Sequence, residues 1–581
     1  MPSQVVESTN PVPGHRVPRA LIEQVFAGPV DSSAMSMLLD GQYSRRLLLL
    51  KVLRESVASA SSREERQTVE DAWPILVAAE KHAPEIVREI LLYPSVGTWL
   101  VRVIRKIRGI INDDVPIWVD MGYLGSVAVA AAIRAGIDVT AAAPVWRGRI
   151  SLPTVGQFEV GDGDSTRLAR IRTRGSTTFL ESPEGEWISL AEVPSFSLRL
   201  HESTAGGRSM CWTVDDIDPY RSFAGMVAND RLGSTEYDVW CNKLDRAWEI
   251  LVEEHADYLP ELSAASPVIV PAAREDGFVA SSSAASFGAI RAAMPQTPAD
   301  MAETLLHELQ HSKLNALLDL VPLQRPGTDR PCYAPWRRDP RPLSGLLHGI
   351  YAFVGVTEYW YRRWRSRADR AAAFHFAYHR EQVREALRGL GPTPELTAAG
   401  TRFLAVASAR LAACDGGEVP ADVRAAVTAL VTENRLAWRM KHLAPPDEYV
   451  VRLADRWLAG EAPTAEDIEP ALRPFHRRDV ESTLPALLTS QALTPDAPDA
   501  GRAVRPGERE LAGRDLAVAR PLFARRIRAN PEDDSAWVGL LMAMGDGRPP
   551  PETVSATFRR AAALSDTPPD PVTLVDWFAR G

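Results

Sequence analysis

The chain has 581 residues and a mass of 63.7 kDa, more than one hydrophobic core serves, so three or four domain-sized units are expected. With 45% hydrophobic and 24% charged residues it has the composition of a folded chain, which excludes disordered and fibrous classes. A formal charge of −9, from 66 basic and 75 acidic residues, is too small and too dispersed for a nucleic-acid binder.

The longest apolar run, around residues 126–146, is broken by Arg134 and Asp138 short of a bilayer span, so no membrane partner is expected. The N-terminus lacks a basic region followed by an apolar stretch and a small-residue cleavage site, which makes the cytoplasm the expected location. Cys211, Cys241, Cys332 and Cys414 form no CxxC pair and read as buried, reduced thiols.

In chain order, residues 17–112 carry helical periodicity without a chemical motif. A small-residue helix over 122–135 follows, with Gly136 at its C-cap. From Ile137 to Leu200 short β-branched runs alternate with turn signals, which predicts an antiparallel meander. The acidic stretch Asp162 to Ser165 lacks the later ligands of a calcium loop and reads as a hairpin turn. Helix returns over 234–255, a strand-like run lies at Val268 to Val270, and a long helical region from Thr297 to Leu487 is interrupted by a Pro/Arg-rich loop at 322–342.

The expected fold class is therefore α+β, predominantly α-helical, with a central antiparallel meander and a two-helix metal core. The expected divisions are 1–115 (helical), 116–290 (mixed, with the sheet), 291–490 (helical, catalytic), 491–508 (a Pro/Gly/Asp-rich linker) and 509–581, a helical unit similar to a tetratricopeptide pair.

The chemistry concentrates at His307-Glu308-Leu309-Gln310-His311, an HExxH in a periodic helical stretch. With 11 histidines in the chain, chance gives well under about 0.03 such matches. Residues four apart project from one helix face, so both imidazoles can converge on one metal ion. A third ligand must come from elsewhere, and Leu314 and Leu317 occupy the positions where a metzincin carries Gly and His.

The downstream helical run offers His348 or Glu358, which lie about 15 Å apart along a straight helix and about 80° apart around it, so both cannot bind the same ion. His348 is favoured, because Ala352 and Gly355 on its face allow close approach of a second helix. The other i, i+4 pair, His375 and His379, has no adjacent Glu and reads as core or surface. Lys313, two residues past His311, is expected to face off the metal side into solvent.

The runs TLLHELQHSKLNALLDL, YAPWRRDPRPLSGLLHGIYAFVGV, MCWTVDDIDPYR and SAASFGAIRAAMP resemble the HExxH-type peptide-maturation proteins found in gene clusters for ribosomally synthesised, post-translationally modified peptides, over roughly residues 120–380. The resemblance implies iron(II)- and α-ketoglutarate-dependent β-hydroxylation of a residue in a precursor peptide, with O2 as co-substrate and other maturation enzymes as further partners. It makes His307, His311 and His348 the iron ligands and relieves Glu308 of a peptidase's role as base.

The distal carboxylate of α-ketoglutarate suits a guanidinium fork, and the loop entering the second metal helix supplies Arg337, Arg338 and Arg341. Of these, Arg337 and Arg341 are the expected co-substrate contacts. Two alternatives stay open: a zinc metallopeptidase trimming a precursor peptide with Glu308 as general base, and a non-enzymatic scaffold. Spacing alone does not distinguish iron from zinc.

Overall fold

The computed structural model describes the chain apart from residues 1–15, 61–62, 224, 229–230, 266, 274–278, 329, 392, 416–417, 464–470, 473–479, 495–503, 546–548 and 580–581. It is α+β and predominantly helical, as expected, and divides into two compact units, Met1–Leu323 and Gln324–Gly581. The division falls inside the stretch read as one helical region over 291–490. The HExxH helix belongs to the first unit and His348 to the second.

The first unit opens with helices Arg19–Ala27, Ser32–Ala60, Arg63–His82, Pro84–Leu92 and Pro94–Ile107. The last two each start on a proline at the first helical position, where its missing N–H costs nothing. The small-residue helix spans Ile117–Ala135, beginning five residues earlier than its sequence suggested, and Gly136 closes it in the left-handed conformation at φ 68°. By length and composition this helix could cross a membrane, yet 78% of that stretch is buried within the protein. Its small residues serve close packing: a Cβ at Gly125 would lie 1.8 Å from the carbonyl oxygen of Ala142 on the neighbouring strand.

The expected meander is realised as two antiparallel sheets. In one, strands Thr140–Val145, Arg167–Arg174, Thr177–Glu181 and Trp187–Ser189 pair in that order. The other joins Arg149–Leu152, Gly156–Glu159 and Ser195–Phe196. A third, five-stranded sheet is mixed: Val268–Ala272 runs parallel to both Arg208–Val214 and Ala289–Ala293. Its parallel pairing was not legible, because a short apolar run such as Val268 to Val270 carries no signal of partner or direction. The connection from Val214 to Val268 passes through the helix Ser234–Glu254, the long crossover that parallel strands require.

Alternation along Arg208–Val214 sends Met210, Trp212 and Val214 inward and leaves Cys211 exposed. This corrects the expectation of four buried thiols. Cys332 and Cys414 are buried and Cys241 is intermediate.

Just beyond that strand the chain buries Asp215, Asp216 and Asp218. Tyr93 donates to Asp215 at 2.7 Å and Tyr123 to Asp218 at 2.8 Å. Tyr220 donates to Asp120, which also pairs with Arg102 at 2.8 Å. Burial and the neighbouring Asp215 carboxylate push Asp218 up to about 7. A carboxyl raised on folding binds more protons folded than unfolded, so its contribution to stability is fully present at low pH and fades as pH rises from about 4 to about 7. Asp218→Asn should flatten that part of the profile, seen as a smaller difference in melting temperature between pH 5 and pH 8 than in the parent. An unchanged difference would place the raised proton affinity elsewhere.

The second unit contains helices Leu343–Arg367, Arg370–Leu390, Ala398–Ala413, Ala421–His442, Asp447–Ala459 and Leu484–Leu493. It ends in five shorter helices between Glu508 and Phe578, where Phe523 lies against Gly539 so closely that a Cβ there would meet its ring at 2.3 Å. Arg439 pairs with the buried Glu552 and ties these helices to the rest of the unit. Half of the expected linker over 491–508, residues 495–503, lies outside the described residues; of the rest, 491–493 continue the helix Leu484–Leu493 and Glu508 begins the next helix.

Candidate metal centre

The HExxH motif sits in the middle of the helix Pro298–Leu318. That helix is started by a reciprocal cap: Thr297 Oγ1 accepts from the Asp300 N–H at 3.1 Å, and Asp300 Oδ2 accepts from the Thr297 N–H at 2.9 Å. Leu305, Leu306 and Leu309 are buried and fix the rotation of the helix. With that rotation set, the rings of His307 and His311 come to 4.6 Å between centroids at 84°, and their Nε2 atoms to 3.1 Å.

Two imidazole nitrogens 3.1 Å apart fit one ion. At the usual metal–nitrogen distance of about 2.0–2.1 Å that separation subtends about 98°, between octahedral and tetrahedral values, so it accommodates iron or zinc. Burial pushes His307 down to about 4, which keeps the ring in the neutral, ligating form at neutral pH. Glu308 is 2% exposed, and burial raises it to about 7 against a smaller downward pull from the Ser282 hydroxyl.

The rival pair is built differently. His375 and His379 lie nearly parallel, 6.1 Å apart at 17°, and each stacks on an aromatic ring, His375 on Trp360 and His379 on Phe353. They belong to the aromatic packing between their helix and Leu343–Arg367, as the sequence suggested.

In the second unit, His348 stands in the second turn of the helix Leu343–Arg367, and burial lowers it to about 4 as well. Glu358, the competing third ligand, is held by Arg410 through a two-pronged ion pair at 2.8 and 2.7 Å, so its carboxylate is committed within that unit. Among the described residues no group of three or more His, Cys, Asp or Glu side chains is gathered into one metal-holding cluster.

Next to His348, Gly349 admits the indole of Trp336; a Cβ there would lie 2.1 Å from the ring. Trp336, Phe353, Tyr378 and Gln382 line a cavity of about 390 Å³ in this unit. The expected co-substrate arginines share one acid. Arg337 donates to Asp339 at 2.7 Å and Arg341 lies 3.4 Å from its other oxygen, which holds Asp339 below the ordinary carboxylate range.

Lys313 overturns its expectation. It faces off the His307/His311 side but is 0% exposed, donating to Glu261 at 2.8 Å and to the Gly28 carbonyl at 2.7 Å. Glu261 also accepts from the Val30 N–H at 2.8 Å, so the pair pins the first interhelical turn to the HExxH helix. Hydrophobic neighbours on three sides of a helix can enclose a lysine when a carboxylate waits there, and periodicity cannot announce that partner. Lys313→Ala should cost about 3–5 kcal/mol by leaving a buried carboxylate short of its cation, measured by chemical denaturation. Lys313→Ala with Glu261→Gln should recover a large part of it.

A residue that sequence reasoning missed is Arg46, in the helix Ser32–Ala60, which is 0% exposed. In the run RRLLLLKVL it reads as an ordinary arginine on an amphipathic helix. No protein-family model matches the chain, and comparison with curated proteins gives no match either.

Proposed function

We propose that the protein is an iron(II)- and α-ketoglutarate-dependent hydroxylase acting on a β-carbon of a precursor peptide, with His307, His311 and His348 as the metal ligands. The observation that carries this reading is the convergence of the His307 and His311 Nε2 atoms at 3.1 Å on the HExxH helix. The resemblance of that helix and of the His348 helix to the peptide-maturation proteins supports the choice of reaction. Three nitrogen ligands would leave an iron ion room for a bidentate co-substrate and for O2. When bound, iron(II) with these two supplies the oxidising chemistry that inserts one oxygen into a C–H bond, with release of succinate and CO2.

The chain's own contribution is placement and exclusion of water. His307 and His348 are neutral at working pH because burial disfavours their charged forms. The aromatic walls of the cavity lined by Trp336, Phe353 and Tyr378, in the same unit as His348, suit an apolar or aromatic side chain of a peptide, with the Gln382 amide as a polar contact. Anaerobic purification, metal analysis and incubation with a precursor peptide test the reading: peptide-dependent succinate and a gain of about 16 Da on the peptide are expected.

One observation favours a second reading, a zinc metallopeptidase. Glu308, raised to about 7, has the proton affinity of a general base working near neutrality. Cleavage of the peptide without O2 would select it.

A further inference from the structure

We propose that a cavity of the first unit, lined by Tyr123, Arg147, Gln157 and Tyr220, binds an N-acylated amino acid: a ligand with a free carboxylate, a neutral N–H and an apolar or aromatic side chain. The site goes beyond the hydroxylase reading and does not depend on it.

The cavity holds about 370 Å³, room enough for one small organic ligand. Its inner wall is largely apolar. The rings of Tyr123 and Tyr220 line it, while their hydroxyls are engaged by Asp218 and Asp120. Ile217 and Pro144 add aliphatic surface. Among these groups stands one buried amide, Gln157, 7% exposed. Its Nε2 donates to the Ser151 hydroxyl and to the Ile217 carbonyl, both at 3.0 Å, which fixes the orientation of the amide. Among the described residues no donor meets its Oε1, so the cavity presents an acceptor that a ligand N–H completes.

The mouth carries the opposite demand. Residues 146–149 form a two-residue turn closed by backbone bonds of 2.9 and 3.1 Å between Trp146 and Arg149, with Arg147 at φ 49° and Gly148 at φ 72°. Glycine or asparagine enters this left-handed region readily, whereas arginine does so under strain, of the kind kept where a side chain has to be aimed at a ligand. A Cβ at Gly148 would lie 2.2 Å from the Asp162 carbonyl oxygen, so a second turn packs directly on the first and lines the mouth with the bare backbone of Gly161 and Gly163. The Arg147 guanidinium lies over the Trp146 ring, 5.3 Å from its centroid, and among the described residues no carboxylate pairs with it. Arg149, on the same lining, is matched by Glu159 at 3.1 Å. The lining therefore holds one positive charge in excess and no uncommitted acid. That balance selects a monoanion, whose carboxylate fits the guanidinium fork, and disfavours a free ammonium, which would find no counter-charge; the donor for Gln157 is then a neutral amide.

Calorimetric titration of the full chain with N-acetyl-L-phenylalanine tests the site. One saturable site with a Kd below about 1 mM is expected. N-acetyl-L-phenylalaninamide, without the charge, and 3-phenylpropanoate, without the N–H, should each bind at least about 10-fold more weakly. Arg147→Asn suits the left-handed turn position and removes the charge. It should melt at or above the parent without ligand and bind N-acetyl-L-phenylalanine at least about 10-fold more weakly. Arg147→Lys keeps the charge without the fork and should also bind more weakly than the parent.

The site is overturned if the parent shows no saturable binding, if the amide binds as well as the acid, or if Arg147→Asn binds as the parent does. An Arg147→Asn protein that melts well below the parent would mean that Arg147 serves the turn, which also overturns it. N-acetyl-glycyl-glycyl-L-phenylalanine distinguishes two sources of the same chemistry: tighter binding than N-acetyl-L-phenylalanine assigns the site to the C-terminal residue of a peptide, and equal binding assigns it to a free acylated amino acid. Either result keeps the site.

Discussion

His348→Ala is expected to lower iron affinity by more than about 100-fold while leaving the metal-free protein's melting temperature nearly unchanged. Losing a group that only orients a ligand already costs about 10–100-fold in metal affinity, and His348 is proposed as one of three ligands themselves. Glu358→Ala should do the opposite. Its carboxylate is the partner of Arg410, whose side chain is 8% exposed, so removing it strands a buried guanidinium at a cost of about 3–5 kcal/mol and leaves metal content intact. Metal analysis after anaerobic reconstitution, set beside thermal denaturation of the metal-free variants, reads both effects. Metal loss in Glu358→Ala at an unchanged melting temperature would reverse the assignment and point to a zinc site completed by a carboxylate.

The contrast between His348 and Glu358 also marks what could be read from the sequence. Helix periodicity and the i, i+4 spacing were enough to predict that His307 and His311 converge, because both residues lie on one rigid element whose geometry is known in advance. The same local logic anticipated the cap at Gly136 and the helices Ser234–Glu254 and Leu343–Arg367. What it could not reach are partnerships between elements distant in sequence. Glu358 with Arg410 and Lys313 with Glu261 leave no periodic trace. The mixed sheet is hidden for the same reason, since its parallel strands Arg208–Val214 and Val268–Ala272 are separated by the helix Ser234–Glu254.

Glu308→Gln separates the two leading mechanisms most sharply. The side chain is 2% exposed, and among the described residues its Oε2 has no hydrogen-bond partner, so the amide replaces it without a change of shape. Burial raises the carboxyl from its ordinary range to about 7, so the metal-free parent binds more protons folded than unfolded and loses stability as pH rises from about 4.5 to about 7. The glutamine variant lacks that group and should be as stable as the parent at about pH 4 and more stable at pH 8, by on the order of 3 kcal/mol at most.

Turnover then discriminates. A hydrolase that draws a proton from water through Glu308 loses about 100-fold or more when the base becomes an amide. Hydroxylation needs no carboxylate base, so the variant should retain metal and measurable peptide-dependent succinate. If Glu308→Gln kept its metal and its stability gain at pH 8 but formed no succinate, while the parent cleaved the peptide without O2, Glu308 would be the base of a peptidase and the hydroxylase reading would be wrong.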